Sequence, residues 1–366
     1  MLSINKQHTI NVLQKTNNIN TRSSESLINP SLDIKNNKNI LFTFKFAVLS
    51  ASKKIINKMA SVEKLLDKMN LRSSAPQSQL TQIFSELKHI HVANHMASMT
   101  VTPNTLEEHI SNKKELVKIT EKHLERIKKQ ILTDRVKTNY KHQQLMASLL
   151  KMKLKDGDDD SFNYADFWDT IANGIDTIKT DYIDVYSNLM EQYTEMYRLY
   201  NSTIQQAAGD MVKAGADGNT VKIDPSIFKR ALDKFKSEVK ILQAKLGTVP
   251  GWNSMTSDSQ KQFMQTLAPA FKVDSNTGQI SFDLAQIDNM SDTPCGQSSA
   301  GDVPLATYNA WLAGFNPVGA SLQSNMQAFG QRYSQANSTY DNLVKVLSSS
   351  ILAMGDSARD FIKNFN

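Results

Sequence analysis

The chain has 366 residues, 40% of them hydrophobic, with 42 Lys and Arg against 36 Asp and Glu for a formal net charge of +6. Apolar residues recur in every long segment after residue 40, which supports buried cores in one large or several small domains and excludes a wholly disordered chain. One cysteine, Cys295, excludes an intrachain disulfide framework and a multi-cysteine metal site.

No apolar run reaches the roughly 18–20 residues that a membrane-crossing helix requires. The best, Leu41 to Leu49, is too short, carries Lys45 and begins far from where a cleavable secretory signal would lie. Charge is divided unevenly. Residues 1–155 hold 26 basic and 11 acidic residues, net +15, while 156–366 hold 16 and 25, net −9. Three readings are open: solvated lysine-rich helix faces, a nucleic-acid or anionic-membrane surface, or a basic half that docks on the acidic half of its own chain. No finger, RNP-like segment or interleaved Arg/aromatic stripe accompanies the lysines, so nucleic acid is the weakest of them.

Residues 1–40 are rich in Asn, Ser and Thr without a sustained period and read as disordered. Residues 53–71 place Ile56, Met59, Val62, Leu65, Leu66 and Met69 at helical spacing. After a break around Pro76, a second helix is predicted from about Leu80 to Met99, with Ile83, Phe84, Leu87 and Ile90 on one side. Thr105 and Glu108 suggest a capping box. Beyond it Leu106, Ile110, Val117, Leu124, Ile127 and Ile131 fit steps of four and three if Lys113 and Thr120 take two seam positions. Helical pattern continues to Leu154 and stops at the turn-like Lys155 to Asp160.

The strongest signal follows. Trp168, Ile171, Ile175, Ile178, Tyr182, Val185, Leu189, Gln192, Met196 and Leu199 keep a strict 3/4 alternation, with only Gln192 polar, which predicts a long coiled-coil helix. Near the C-terminus Leu322, Met326, Phe329, Tyr333, Ala336, Tyr340, Leu343 and Leu347 do the same, and Ile351 and Met354 extend the run after a slip of one position. Each arm needs a partner for its seam, and the economical solution pairs them antiparallel within one chain. Between them the texture is mixed. A turn at Asp217–Asn219 precedes a short strand at Thr220–Ile223, and a helix is predicted over Ile227–Leu246. A short helix over Phe263–Phe271 precedes a β-hairpin around Asp274–Gly278, and Met290–Pro304 reads as a Ser/Gly/Pro loop holding Cys295.

No Walker-type or dinucleotide fingerprint, nucleophile elbow or zinc-protease helix motif is present, so an enzyme has the least support. His89, His91 and His95 lack a nearby cysteine or carboxylate to complete a metal set. Asp156, Asp158 and Asp160 mimic the start of a calcium loop, but Ser161 and Phe167 stand where Gly and Glu are required. Catalytic, cofactor and metal residues are therefore none.

Asp166 to Tyr197 resembles the first coil arm of type III secretion needle-tip proteins, the IpaD/SipD/BipD group. Asp217 to Asp224, Thr277 to Met290, Tyr308 to Phe315 and Arg332 to Ile351 resemble later blocks of that family in the same order, so the likeness covers about 156–362. The resemblance implies a mainly α fold: a long antiparallel intramolecular coiled coil with an N-terminal helical hairpin and a small mixed α/β insertion. The corresponding divisions are a disordered export-signal region (1–40), a basic self-chaperone region (41–155), the first arm (156–208), a mixed domain (209–315), and the second arm with the C-terminus (316–366). It also implies export through the type III apparatus from the cytoplasm, and assembly of about five copies at the needle tip. There the protein is expected to cap the needle subunits, control effector secretion and help hydrophobic translocators place a pore in a host membrane. Enteric relatives imply bile salts as regulatory ligands. The N-terminal region is longer than the family's, and the tryptophan usual after the first arm is absent from Gln205 to Lys213. Off the seam, Asn337, Asp341, Asn342 and Lys345 are the candidate needle-docking side chains. The competing reading is an intracellular helical scaffold or a basic nucleic-acid-binding protein.

Overall fold

The computed structural model describes residues 79–97, 101–153, 164–215 and 217–363. The 1–40 region, the amphipathic stretch 53–71 and the turn at Lys155 to Asp160 lie outside these residues.

Helix α1 (Gln79–Ala97) and helix α2 (Leu106–Lys153) form the N-terminal hairpin. Leu80, Ile83, Phe84 and Leu87 recur on one face of α1, and all are buried. The hairpin is antiparallel: His91 meets Thr120 at 3.2 Å and Glu86 meets Arg126 at 2.6 Å. The entry to α2 is built by Thr102 and Thr105 rather than by the predicted Thr105–Glu108 box. Thr105 Oγ1 accepts the Thr102 N–H at 2.9 Å, and Glu108 is exposed.

The first arm runs through α3 (Tyr164–Ile178), a π-helical turn (Lys179–Asp184), α4 (Val185–Tyr200), a second π turn (Asn201–Gln205) and the short α5 (Gln206–Asp210). After β1 (Val212–Ala214) and β2 (Thr220–Ile223) come α6 (Pro225–Ala244), α7 (Ser257–Leu267), β3 (Phe271–Val273), β4 (Ile280–Phe282), α8 (Ala285–Asp288) and β5 (Gly301–Pro304). The second arm is α9 (Leu305–Lys363).

By its contacts the described chain divides into two compact units. The first takes 136–153 of α2, 164–184 of the first arm and 336–363 of α9. Its core joins Leu145 and Leu149 to Ile175 and Ile183, and to Ala336, Tyr340, Val344, Leu347 and Ile351. Three helix segments thus bury one apolar stripe each.

The second unit takes 79–135 and 185–335. Within it Tyr186 stacks on Phe329 at 5.5 Å, and the Tyr193 hydroxyl donates to the Leu322 carbonyl at 3.3 Å. Partner numbers fall on α9 as they rise on α4, so the arms are antiparallel. Its sheet has the order β1-β2-β5, all antiparallel, with Val212 opposite Ile223 and Val221 opposite Val303. The β3–β4 hairpin closes on Asp274, whose carboxylate accepts from the backbone N–H of Asn276 and Thr277, with Gly278 at φ +71°. Phe271 and Phe282 of that hairpin pack edge-on against Tyr193, which seats it on the coil. Arg332 of α9 donates to the carbonyls of Thr266 and Ala268, fixing the corner between α7 and β3.

Several expectations are corrected. The short helix lies over Ser257–Leu267 rather than Phe263–Phe271, and Gly301–Pro304, expected as the end of the Ser/Gly/Pro loop, is a strand. The seam register also changes. A π turn holds one residue more than the helical period allows, so the buried face shifts by one position across Lys179–Asp184. Ile175 is buried and Ile171, Ile178 and Tyr182 are half-buried before and within that turn, while beyond it Val185 stays half-buried and Tyr186 is 1% exposed. Leu189, Met196, Leu322, Met326, Phe329, Tyr333, Tyr340 and Leu347 are buried. Leu343 packs half-buried at the edge of the first unit's core, and Val344 takes the interior place. Trp168 stands on α3 with its side chain outside the described set.

The register shift is testable by thermal or urea denaturation. Tyr186→Ala is expected to cost about 3–5 kcal/mol, as for a large aromatic removed from a core. Val185→Ala is expected to cost about 1 kcal/mol or less. Equal losses would show that the seam crosses 179–184 without a shift.

Candidate functional site

In the first unit the C-terminal part of α2 packs on α9 at Tyr340 and at Asp341, one of the four candidate docking residues. Lys141 Nζ meets an Asp341 carboxylate oxygen at 2.5 Å. The amide nitrogen of Asn337 is buried without a hydrogen-bond partner among the described residues, and Asn342 is half-buried. Lys345 alone of the four is exposed. The expectation that these side chains stand free therefore fails for Asp341, which α2 pairs through Lys141, while Asn337 and Asn342 are half-buried.

His142 adds to that packing. Its Nδ1 lies 2.8 Å from the Tyr340 hydroxyl and its Nε2 3.3 Å from an Asp176 oxygen, so one ring ties α2 to both arms. Burial holds the His142 pKa below its ordinary value, Lys179 adds to this, and Asp176 opposes it. Beside it Lys179 and Asp184 pair at 2.6 Å across the π turn.

The second unit has a different feature. Helices α1, α2 and α9 and the second π turn enclose a cleft of about 200 Å³ whose lining includes Lys88, His91, Lys113, Leu116, Gln205 and Gln323. Lys113 is 6% exposed, and its ammonium has no hydrogen-bond partner among the described residues. It sits 5.0 Å above the Phe315 ring, and burial pulls its pKa down to about 7. One turn earlier His109 is buried edge-on to Tyr308, its Nε2 also unpartnered, and burial and then Lys113 lower its pKa to about 4. His91, held between Thr120 and the Tyr197 hydroxyl, falls to about 4 through burial and then His123. The sequence offered one signal for this cluster, a lysine at a seam position of an otherwise apolar repeat.

Elsewhere the basic hairpin meets acidic residues of its own chain. In the second unit Lys128 pairs with Glu195 at 2.7 Å, Arg135 with Glu191 at 2.7 Å, and Lys114 with Asp210 at 3.3 Å. Burial pushes the Cys295 thiol up to about 11, which keeps it from acting as a thiolate at neutral pH.

A family model of type III secretion systems tip complex components matches residues 43–362, extending the likeness toward the N-terminus. Invasin IpaD of Shigella flexneri is 30% identical over 301 residues, covering 79% of this chain and 89% of IpaD. Cell invasion protein SipD of Salmonella typhi is 29% identical over 221 residues, covering 54% of this chain and 61% of SipD. Among solved structures BipD, an invasion protein associated with the type III secretion system of Burkholderia pseudomallei, aligns with a TM-score of 0.48. That alignment has 17% identity and covers 77% of this chain and 96% of BipD.

The buried cations give the second unit a defined pH response. For Lys113 the unfolded chain holds the proton more tightly, so stability rises as pH climbs from about 7 toward 10.5. For His91 and His109 stability is full above 6.5 and is lost as pH falls toward about 4. Lys113→Met is expected to stabilise the protein at pH 7 by about 1–4 kcal/mol and to flatten the rise above pH 7, read by urea denaturation. An unchanged slope in that variant would show that Lys113 is solvated.

Proposed function

The chain belongs to the family of type III secretion system tip complex components, and from that membership we propose that it caps the secretion needle, gates effector release and supports insertion of the translocator pore. The match across 43–362 carries this reading. Its partners are the needle subunit, the hydrophobic translocators and further copies of itself, in the order of five at the tip. The protein is made in the cytoplasm, exported through the apparatus with residues 1–40 as its uncleaved signal, and held at the bacterial surface.

The geometry supports a held state before assembly. The α9 face bearing Asn337, Asp341 and Asn342 meets α2 through Lys141, His142 and the Leu145–Leu149 core contacts. Needle docking on that face requires α2 to move, so the hairpin acts as a self-chaperone. Exposed ion pairs contribute only ~0–1 kcal/mol each, so the apolar contacts supply most of the hold and charge sets orientation.

The cleft at Lys113 suits a bile salt, an amphipathic anion whose carboxylate would satisfy the buried ammonium. Deoxycholate binding followed by calorimetry is expected in the full chain and lost in Lys113→Met; equal binding by both would remove this site.

Needle docking is tested with purified needle subunit captured on a surface. Lys141→Ala with His142→Ala loosens the cover and is expected to raise subunit binding by about tenfold, the effect of roughly 1.4 kcal/mol less hold. Lys345→Glu added to that pair should abolish the gain. If neither the full chain nor the loosened variant binds the subunit, the tip assignment for this face is wrong.

A further inference from the structure

Helix α6 lies in the acidic half of the chain yet turns a basic face to water. Within 212–245 stand 8 of the 16 basic residues of 156–366, against 4 of its 25 acidic ones. All eight of these cations are exposed. Six of them, Lys229, Arg230, Lys234, Lys236, Lys240 and Lys245, belong to α6 and the residue that ends it. At 3.6 residues per turn Lys229, Lys236 and Lys240 form one row and Arg230, Lys234 and Lys245 a second, with Asp233, Ser237 and Ala244 between them. The opposite side of the helix is spent on the core, where Phe228, Leu232, Phe235 and Val239 are buried.

Carboxylates of the same chain answer few of these charges. Lys229 lies 3.6 Å from Asp292 and Lys234 3.8 Å from Glu238, while Lys236, Lys240 and Lys245 have no ion-pair partner among the described residues. Strands β1 and β2 extend the patch, since Lys213 and Lys222 stand opposite each other in the register. The Asp224 carboxyl is held below its ordinary value first by its Ser226 hydrogen bonds and further by Arg230 and Lys213, so the cations of helix and sheet adjoin. Ile241 stands in the second row of α6 and is 63% exposed. It is the one exposed large apolar side chain among the described residues of 209–315.

We propose that this face of α6 rests on an anionic lipid surface, with the lysines over the headgroups and Ile241 entering the interface. The residue types favour lipid over other polyanions. Seven of the eight cations are lysine, a flexible point charge that suits a fluid array of headgroups, whereas the planar fork of arginine suits phosphates or carboxylates in fixed positions. No exposed aromatic ring stands among them to stack on a base. An isoleucine open to water among lysines has no use against a nucleic-acid backbone and a direct one at a membrane interface. Because the apolar side of α6 stays in its own core, the contact is peripheral and the helix keeps its seat. The tip-complex reading does not require this contact and survives its loss, since the proposal rests on the chemistry of the face alone.

Co-sedimentation of the full chain with vesicles tests it, using phosphatidylcholine alone and phosphatidylcholine with phosphatidylserine in about equal parts. Binding is expected to the mixed vesicles only. Lys236→Gln with Lys240→Gln and Lys245→Gln is expected to weaken it about hundredfold, at roughly fivefold for each lysine near an anionic surface. Ile241→Ser is expected to weaken it about tenfold at unchanged charge. All four positions are exposed, so the circular dichroism of both variants should match that of the full chain. No binding by the full chain would overturn the proposal. Equal binding by the triple variant would overturn it too and assign the lipid contact to the basic residues of 1–155. A duplex oligonucleotide bound more tightly than the mixed vesicles, with the same loss in the triple variant and none in Ile241→Ser, would also overturn it and assign the face to nucleic acid.

Discussion

Helix α2 buries a stripe from Leu106 to Leu149 against elements near and far in sequence, the farthest being α9 about 200 residues further along, and the proposed held state depends on that burial. Leu124, Ile127 and Ile131 are at most 1% exposed in the second unit, as is Leu145 in the first. A fully buried Leu or Ile contributes roughly 1.5–3 kcal/mol, whereas a partly exposed ion pair contributes about 0–1. The division of charge between the two halves of the chain therefore selects the face on which α2 lands, and the apolar stripe keeps it there. The pairs from Lys128 to Glu195 and from Lys141 to Asp341 mark that landing.

The buried polar groups along α2 work against the same stripe. Lys113, His109 and Thr120 occupy interior positions of an otherwise apolar repeat, and Lys113 and His109 lack hydrogen-bond partners among the described residues. Burying an unpartnered cation destabilises a fold. On the proposed self-chaperone reading such a seam of limited strength would ease release of the hairpin, and His142 between Tyr340 and Asp176 is a further polar group in the first unit's packing.

Much of the architecture was legible because helical periodicity over several turns is a strong signal. Both arms, the hairpin helices, α6 and the β3–β4 turn follow from the spacing of apolar residues and from Asp274 and Gly278. The register beyond Asp184 was not legible, since Val185 and Tyr186 are both apolar and a single inserted residue leaves either choice consistent with the period. Strands β1 and β5 are three and four residues long and lie in Gly- and Ser-rich sequence. Their pairing with β2 is a tertiary matter that local propensity does not encode. Of the candidate docking residues, the sequence showed which side chains lie off the seam but not that α2 pairs with Asp341, because packing of a third helix depends on the path of the chain rather than on the arm's own pattern.

Thiol labelling measures that packing directly. In chains carrying Cys295→Ser, a cysteine placed at Asn337 and one placed at Lys345 report the covered and the open side of the same helix. The account predicts that Asn337→Cys reacts at least about tenfold more slowly than Lys345→Cys in the full chain, as for a site reached only by local opening. It further predicts that Leu145→Asp with Leu149→Asp, which releases α2, brings the two rates together. Equal rates in the full chain would show that α2 does not hold this face, and the self-chaperone account would fall.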